Sequence, residues 1–313
     1  MNTKRILFMG SPAFAVPSLT MLAERPDLCQ IVGVVTQPDK RAGRGRKLTP
    51  CPVKTAADSR GIPTYQPKSV RKAESLEALR EFKADLVVVA AYGKILPTSV
   101  LEMAELGCVN VHASLLPKYR GASPITQAIV NGDAECGVSI MQLDEGMDTG
   151  DVHAMRAITI APTDTCGTLT VKLAELGAKL LIDQLEDILS GQSTPEPQDN
   201  SLATHAPMLS KEDGRLDFSK PAAILERQLR AHHPWPGTFT MFGDTRVVIT
   251  KAALALESGT PGHVIQANKR GLQIACGEQS LLVQEVKPAG SKLMDASSWV
   301  AGKGPKAGDQ LGS

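Results

Sequence analysis

No two cysteines in this 313-residue chain are spaced as a CxxC pair, and no histidine lies at zinc-ligand spacing from any of the six. That excludes a zinc finger or a dithiol redox motif built on Cys29, Cys51, Cys108, Cys136, Cys166 and Cys276. Several of them sit in apolar runs, so they read as thiols packed as small hydrophobes in a reducing compartment. There is no apolar run long enough to span a bilayer. The opening Met-Asn-Thr-Lys-Arg5 lacks the pattern of a signal or transit peptide and leads straight into a strand. The expectation is a cytoplasmic protein with no membrane partner. Net charge is only +1, which implies no global affinity for polyanions. Internal repeats and low-complexity tracts are absent. So is the G-x-G-x-x-G fingerprint after the first strand, where the chain reads Gly10-Ser-Pro-Ala-Phe14. A dinucleotide-dependent oxidoreductase therefore lacks its signature.

Hydrophobic residues make up 42 %, which rules out a mainly disordered chain, and the length suits two domains. Charge is unevenly split. Residues 1–206 carry 21 Lys and Arg against 23 Asp and Glu, a balance of −2. Residues 207–313 carry 13 against 10, a balance of +3.

The first half alternates strand and helix patterns. Strands are expected over 6–9, 29–36, 85–91, 108–112, 137–143 and 152–160, and an extended piece over 62–65. Helices are expected through Leu19, Leu22 and Ala23, then over 53–60, 69–82, 96–106, 123–131 and 165–189. The last of these carries Leu169, Leu173, Leu176, Leu180, Leu185 and Ile188 on one side. Such alternation implies an α/β, Rossmann-like domain with a mostly parallel sheet, over residues 1–190. A basic loop interrupts it from 37 to 52. Residues 191–206, beginning Gly-Gln-Ser-Thr-Pro-Glu-Pro, read as a polar linker. Residues 207–313 follow with a helix over about 220–232. Five short strands come next, over 238–242, 245–252, 262–267, 271–276 and 281–286. This suggests a small OB-like β-barrel.

The most informative stretch is Asn110-Val-His-Ala-Ser-Leu-Leu-Pro-Lys-Tyr-Arg-Gly-Ala122. Strand side chains alternate, so Asn110 and His112 point to one face. The C-terminal end of a sheet strand is where open α/β sheets bind ligands. An amide and an imidazole there can grip one developing oxyanion. Asp144-Glu-Gly-Met-Asp-Thr-Gly-Asp151 offers a carboxylate to polarise the imidazole.

With Asn110, His112, Ser114-Leu-Leu-Pro117 and Asp148 in place, the chain resembles the folate-dependent formyltransferases. Residues 110–122 and 144–151 match patterns common to that family. Three further stretches resemble its tRNA-directed members: Thr36 to Lys47 with Pro50-Cys-Pro-Val-Lys54, Ala206 to Asp217, and Arg227-Gln-Leu-Arg-Ala231 with Pro234-Trp-Pro-Gly237. Ser11, Phe218 and His232-His233 depart from the usual residues, and residues 302–313 match no family pattern.

The resemblance implies transfer of the formyl group of 10-formyltetrahydrofolate to the α-amine of methionine on initiator methionyl-tRNA. The amine would attack directly, through an oxyanion-stabilised tetrahedral intermediate. Asn110 and a protonated His112 would donate to the oxyanion, and Asp148 would favour the imidazolium and help move the amine proton. Ser114, Leu115, Leu116 and Pro117 would border the folate, with the pterin near residues 90–96 and the loop before Asp148. No metal is expected. Residues 39–47 carry five positive charges and one negative. Arg41, Arg44, Arg46 and Lys47 are the candidates for contact with tRNA phosphates, and a basic face on the C-terminal domain would add to them. The expected state is a monomer. Two other readings remain: a formyltransferase for a different amine, and a non-catalytic RNA-binding protein. The second leaves Asn110, His112 and Asp148 unexplained.

Overall fold

The computed structural model describes residues 3–42, 45 and 47–312. In chain order its elements are β1 (Lys4–Gly10), α1 (Val16–Ala23), β2 (Cys29–Val35), β3 (Lys40–Ala42), β4 (Lys47–Thr49), α2 (Pro52–Asp58), β5 (Thr64–Tyr65), α3 (Ala73–Arg80), β6 (Leu86–Ala90), α4 (Thr98–Leu101), β7 (Cys108–His112), β8 (Arg120–Gly121), α5 (Pro124–Asn131), β9 (Glu135–Gln142), β10 (Val152–Thr159), α6 (Cys166–Ser190), β11 (His205–Ala206), α7 (Ala222–Ala231), β12 (Thr238–Phe242), β13 (Thr245–Ala255), β14 (Val264–Asn268), β15 (Gly271–Ala275), β16 (Ser280–Pro288), β17 (Met294–Asp295) and α8 (Ala296–Ala301). Contacts divide the chain into two units. One takes in Met1–Pro124, Glu135–Thr159 and Thr170–Pro207; the other takes in Ile125–Ala134, Ile160–Leu169 and Met208–Ser313.

The first unit is built on a seven-stranded sheet of order β10-β9-β7-β6-β1-β2-β5. From β5 through β7 all neighbours are parallel; β9 and β10 then join antiparallel. Ile6 to Met9 and Leu86 to Ala90 are buried, the continuous apolar runs of strands covered on both faces. On one face Leu7, Met9, Val87, Val89 and Cys108 share a core. Alternation along β7 puts Asn110 and His112 on that same face, at its C-terminal end. The opposite face is covered by α6, whose Leu173, Leu180, Leu185 and Ile188 are buried, with Leu176 half-buried. Helix and strand meet closely at Gly177: a Cβ there would lie 2.6 Å from Val111 Cγ1.

Several elements differ from expectation. α3 starts at Ala73 rather than Ser69, because the Ser69 hydroxyl accepts from Arg71 N–H (3.2 Å) and makes a turn first. Over 96–106 only the four residues of α4 are helical; the chain then turns through residues 102–107. Within the basic loop, β3 and β4 pair as an antiparallel hairpin stem. Residues 191–206, linker-like in composition, hydrogen-bond within the first unit. Val152 bridges Glu196, and β11 pairs in parallel with β8.

The second unit holds an antiparallel sheet of order β12-β13-β16-β15-β14, with β17 beside β16. The five expected strands are present; β17 and α8 are additional. Leu225 and Leu229 of α7 pack in one core with Val247, Ile249, Leu281 and Val283. Phe218, where a Trp is usual in the resemblance, is buried there too. Among the described residues no helix is long and apolar enough to cross a membrane.

Burial lowers the pKa of His153 and of His232 below the ordinary value of 6.5; Asp151 and Asp213 respectively oppose the shift. Each ring therefore stays neutral in the fold where the unfolded chain already binds a proton. Their contribution to stability is full above pH 6.5 and is lost as pH falls below it. Urea unfolding between pH 8 and 5 checks this: His153→Gln with His232→Gln should flatten the upper part of the decline. Gly177→Ala should destabilise the chain by about 1–3 kcal/mol, as overpacking against Val111 outweighs the better helix propensity. A lowered urea midpoint at unchanged slope is the expected result.

Candidate active site

Strand β7 places the site. Its Asn110 lies opposite Val89 of β6 and Met141 of β9, and its His112 opposite Ser139. His112 is 6 % exposed. Nε2 sits 3.1 Å from the carbonyl oxygen of Tyr119. A carbonyl only accepts, so Nε2 carries the proton. Nδ1 faces Asp148 Oδ2 at 3.7 Å, within ion-pair reach and beyond a hydrogen bond. A proton on Nδ1 would point toward that carboxylate. The Asn110 amide is half-buried and has no hydrogen-bond partner among the described residues.

Asp148 reaches the imidazole from the hairpin loop between β9 and β10. Its backbone is left-handed, φ 54°, uncommon for a residue with a side chain. The same holds for Tyr119 (φ 62°) and for Ala91, which follows β6 (φ 46°). Unusual backbone of this kind collects at functional sites. Asp148 Oδ2 also accepts the Gly121 N–H at 2.7 Å. Gly121 has φ 116° and lies against the Ala206 carbonyl, where a Cβ would come within 2.7 Å, so only glycine fits. Earlier in the loop, Asp144 accepts from Thr149 Oγ1 and from Gly146 N–H. Thr98 Oγ1 donates to Glu145 Oε1 at 2.5 Å, tying the loop to the start of α4.

The structure brings Asn110, His112 and Asp148 to one place. The four candidate folate neighbours are mostly occupied by packing. Ser114 Oγ donates to Lys118 O (2.6 Å), and the Ser114 carbonyl accepts from Ser139 Oγ (2.7 Å). Leu116 is buried with Met141 and Val152, and Leu115 packs against Gly137 of β9. Leu115 and Pro117 keep partial exposure. Of the basic candidates, Arg41 and Lys47 are exposed on the hairpin stem, while Arg44 and Arg46 lie outside the described residues. The stem is anchored at Asp39. Hydrogen bonds from Gln66 (2.8 Å) and Lys54 (3.2 Å) hold its carboxyl below the usual range. Of the site residues not singled out beforehand, Tyr119 and Gly121 lie within the family-like run 110–122 but act through backbone groups that residue type does not reveal, and Gln198, in a polar tract, had no signal in the sequence.

A family model described as formyl transferase matches residues 4–185, and one described as formyl transferase, C-terminal domain, matches residues 208–304. A protein of Myxococcus xanthus named methionyl-tRNA formyltransferase is 47 % identical over 310 residues, 99 % of this chain and 98 % of that one. One of the same name from Desulfotalea psychrophila is 48 % identical over 300 residues, covering 95 % and 92 %. Among solved structures, the sugar 3N-formyl transferase WlaRD aligns with TM-score 0.66 at 17 % identity, covering 93 % of this chain and 100 % of that one. HypX from Aquifex aeolicus, solved with tetrahydrofolic acid, aligns with TM-score 0.63 at 19 % identity, covering 96 % and 47 %. At such identities the two structures show the shared fold. The chain belongs to the formyl transferase family, and the full-length relatives named above are methionyl-tRNA formyltransferases.

Proposed function

We propose that this chain transfers the formyl group of 10-formyltetrahydrofolate to the α-amine of methionine on initiator methionyl-tRNA. The observation that carries this reading is an Asn110 amide, unpartnered among the described residues, on the same strand face as a His112–Asp148 pair, in a chain nearly half identical to full-length enzymes of that name. A half-buried amide with open donors wants a polar ligand.

The residues fit a folate. Ile95 and Met147 are large apolar side chains exposed at 66 % and 59 %. They stand on the two segments that Thr98 and Glu145 tie together. Apolar surface of this kind suits a flat heterocycle, with backbone of residues 90–96 and 144–148 for its polar edge. Leu115 and Pro117 would border it. Bound 10-formyltetrahydrofolate would supply the activated formyl carbon. Asn110 donates an N–H toward an oxygen that gains negative charge, a contribution of roughly 10²–10³ in rate for one such donor. His112 keeps Nε2–H on Tyr119 and presents its Nδ1 edge, beside Asp148. When protonated, that edge serves as the second donor; as the bond from the formyl carbon to N10 breaks, the proton lost by the attacking amine passes by way of Nδ1 or Asp148 to N10 of the departing tetrahydrofolate, worth roughly 10²–10⁴.

The tRNA is read as bound by the basic hairpin, through Arg41, Arg44, Arg46 and Lys47, and by the domain from 207 onward. We take 1–190 as the catalytic domain and 191–206 as the connection between the two. A cytoplasmic monomer completes the reading.

Formyl transfer to charged initiator tRNA, with charged elongator methionyl-tRNA and free methionine as controls, tests the proposal. Fast transfer to the initiator alone is expected; transfer only to another amine would overturn the substrate. His112→Ala should lower kcat by at least about 10²-fold with tRNA binding nearly unchanged. Replacing Arg41, Arg44 and Arg46 by Ala should raise the tRNA Kd and reduce the slope of log K against log salt. An unaltered slope would remove the hairpin from the interface.

A further inference from the structure

Asp148 needs a holder, because its left-handed backbone is what turns its carboxylate toward both His112 and Gly121. The holder comes from residues 198–206. Gln198 Nε2 donates to the carbonyl of Asp148 at 2.9 Å and to that of Gly150 at 2.7 Å. Its Oε1 accepts from Arg120 Nε at 3.0 Å and Arg120 Nη2 at 2.7 Å. Arg120 Nη2 also donates to Asn200 Oδ1 at 2.9 Å.

This geometry fixes the amide. Arginine can only donate, so Oε1 must face Arg120, and the NH₂ must face the two carbonyls. Arg120 is 4 % exposed, and its guanidinium donates to the amide oxygens of Gln198 and Asn200 rather than to a carboxylate. The next residue, Gly121, gives its N–H to the Asp148 carboxylate. Residues 120 and 121 therefore grip Asp148 twice, directly at the side chain and through Gln198 at the backbone. The same strap also sets the partner of His112: Thr204 Oγ1 accepts from Tyr119 N–H (2.9 Å), and Thr204 O from Arg120 N–H (2.9 Å).

We propose that Gln198 is a positioning residue for the reaction, holding Asp148 in the conformation that serves His112. This rests on the formyl-transfer reading above. Gln198→Glu separates the two halves of the amide. It keeps an acceptor for Arg120 but, when ionised, sets a carboxylate against two carbonyls with nothing to donate.

The test is steady-state formyl transfer by the full chain, across pH, with melting temperature alongside. Gln198→Glu and Gln198→Ala should each lower kcat by about 10–100-fold with KM for both substrates within about twofold, the range of a misaligned catalytic group. The ratio of Gln198→Glu to unmodified activity should rise as pH falls and the new carboxyl regains a proton to donate. On an Asp148→Asn background neither change should cost much further. Gln198→Glu at full rate would overturn the proposal, as would a rise in KM alone or a full additional loss on the Asp148→Asn background. Should Gln198→Ala fail to fold, Gln198→Glu, which retains the Arg120 contact, decides. Absence of transfer by the unmodified chain, or full activity in Asp148→Asn, would instead sink the reading of the site on which this rests.

Discussion

One carboxylate has to be in two places at once. Asp148 accepts the Gly121 N–H at 2.7 Å and faces His112 Nδ1 at 3.7 Å, and it does so from a backbone conformation that a side chain disfavours. The rest of the first unit can be understood as supplying that arrangement. Strand β7 carries the imidazole to the end of the sheet, and the β9–β10 hairpin brings the carboxylate back over it. The segment from 114 to 122 closes the ring, with Tyr119 O on one nitrogen of His112 and Gly121 N on Asp148.

The switch in strand direction makes this possible. Parallel strands from β5 to β7 all end on the same side, and crossover connections of that kind leave long loops there. β9 runs the other way, so its link to β10 is a hairpin, short enough to be held by its own side chains. Asp144 ties up Thr149 and Gly146 within that hairpin, and Thr98 holds Glu145 from outside. Behind β7, α6 approaches at Gly177 until it touches Val111. Asn110 and His112 are thus carried by a strand that is packed on its back and cannot retreat.

Much of this was legible in the residues. β7 could be bounded at 108–112 because apolar and polar side chains alternate and a tight run of Ser-Leu-Leu-Pro follows. Asn110, His112 and Asp148 could be named as a candidate site because residue type, spacing and position at a strand end agreed. What was hidden had no local signature. α4 is four residues because the chain turns after Leu101, although the apolar spacing over 96–106 suits a longer helix. Within 37–52 the strands β3 and β4 pair, yet β4 is exposed along its length, as are Lys40 and Arg41 of β3, so no apolar alternation marks them. Residues 191–206 are polar and contain prolines, which is the composition of a linker. Composition cannot report that Glu196, Gln198, Thr204 and Ala206 find partners dozens of residues away. Backbone roles are equally silent: Tyr119 and Gly121 stand in the family-like run 110–122, but what they contribute is a carbonyl and an N–H that every non-proline residue has.

The choice of a neutral amide between Arg120 and the loop has an electrostatic logic. A buried guanidinium is costly unless its donors are used, and a carboxylate is its usual partner. Asp148 is close in the chain of contacts and would serve. An ion pair with Arg120 would, however, draw the carboxylate away from His112 and spend its charge on a partner that never changes protonation. Gln198 and Asn200 satisfy the guanidinium with amide oxygens instead. Gln198 then passes the hold to the Asp148 carbonyl rather than to its side chain. The backbone is fixed by a cation at one remove, and the carboxylate keeps its charge for the imidazole. Sheet, hairpin and strap thus converge on a single requirement, that Asp148 be immobile in position and uncommitted in charge.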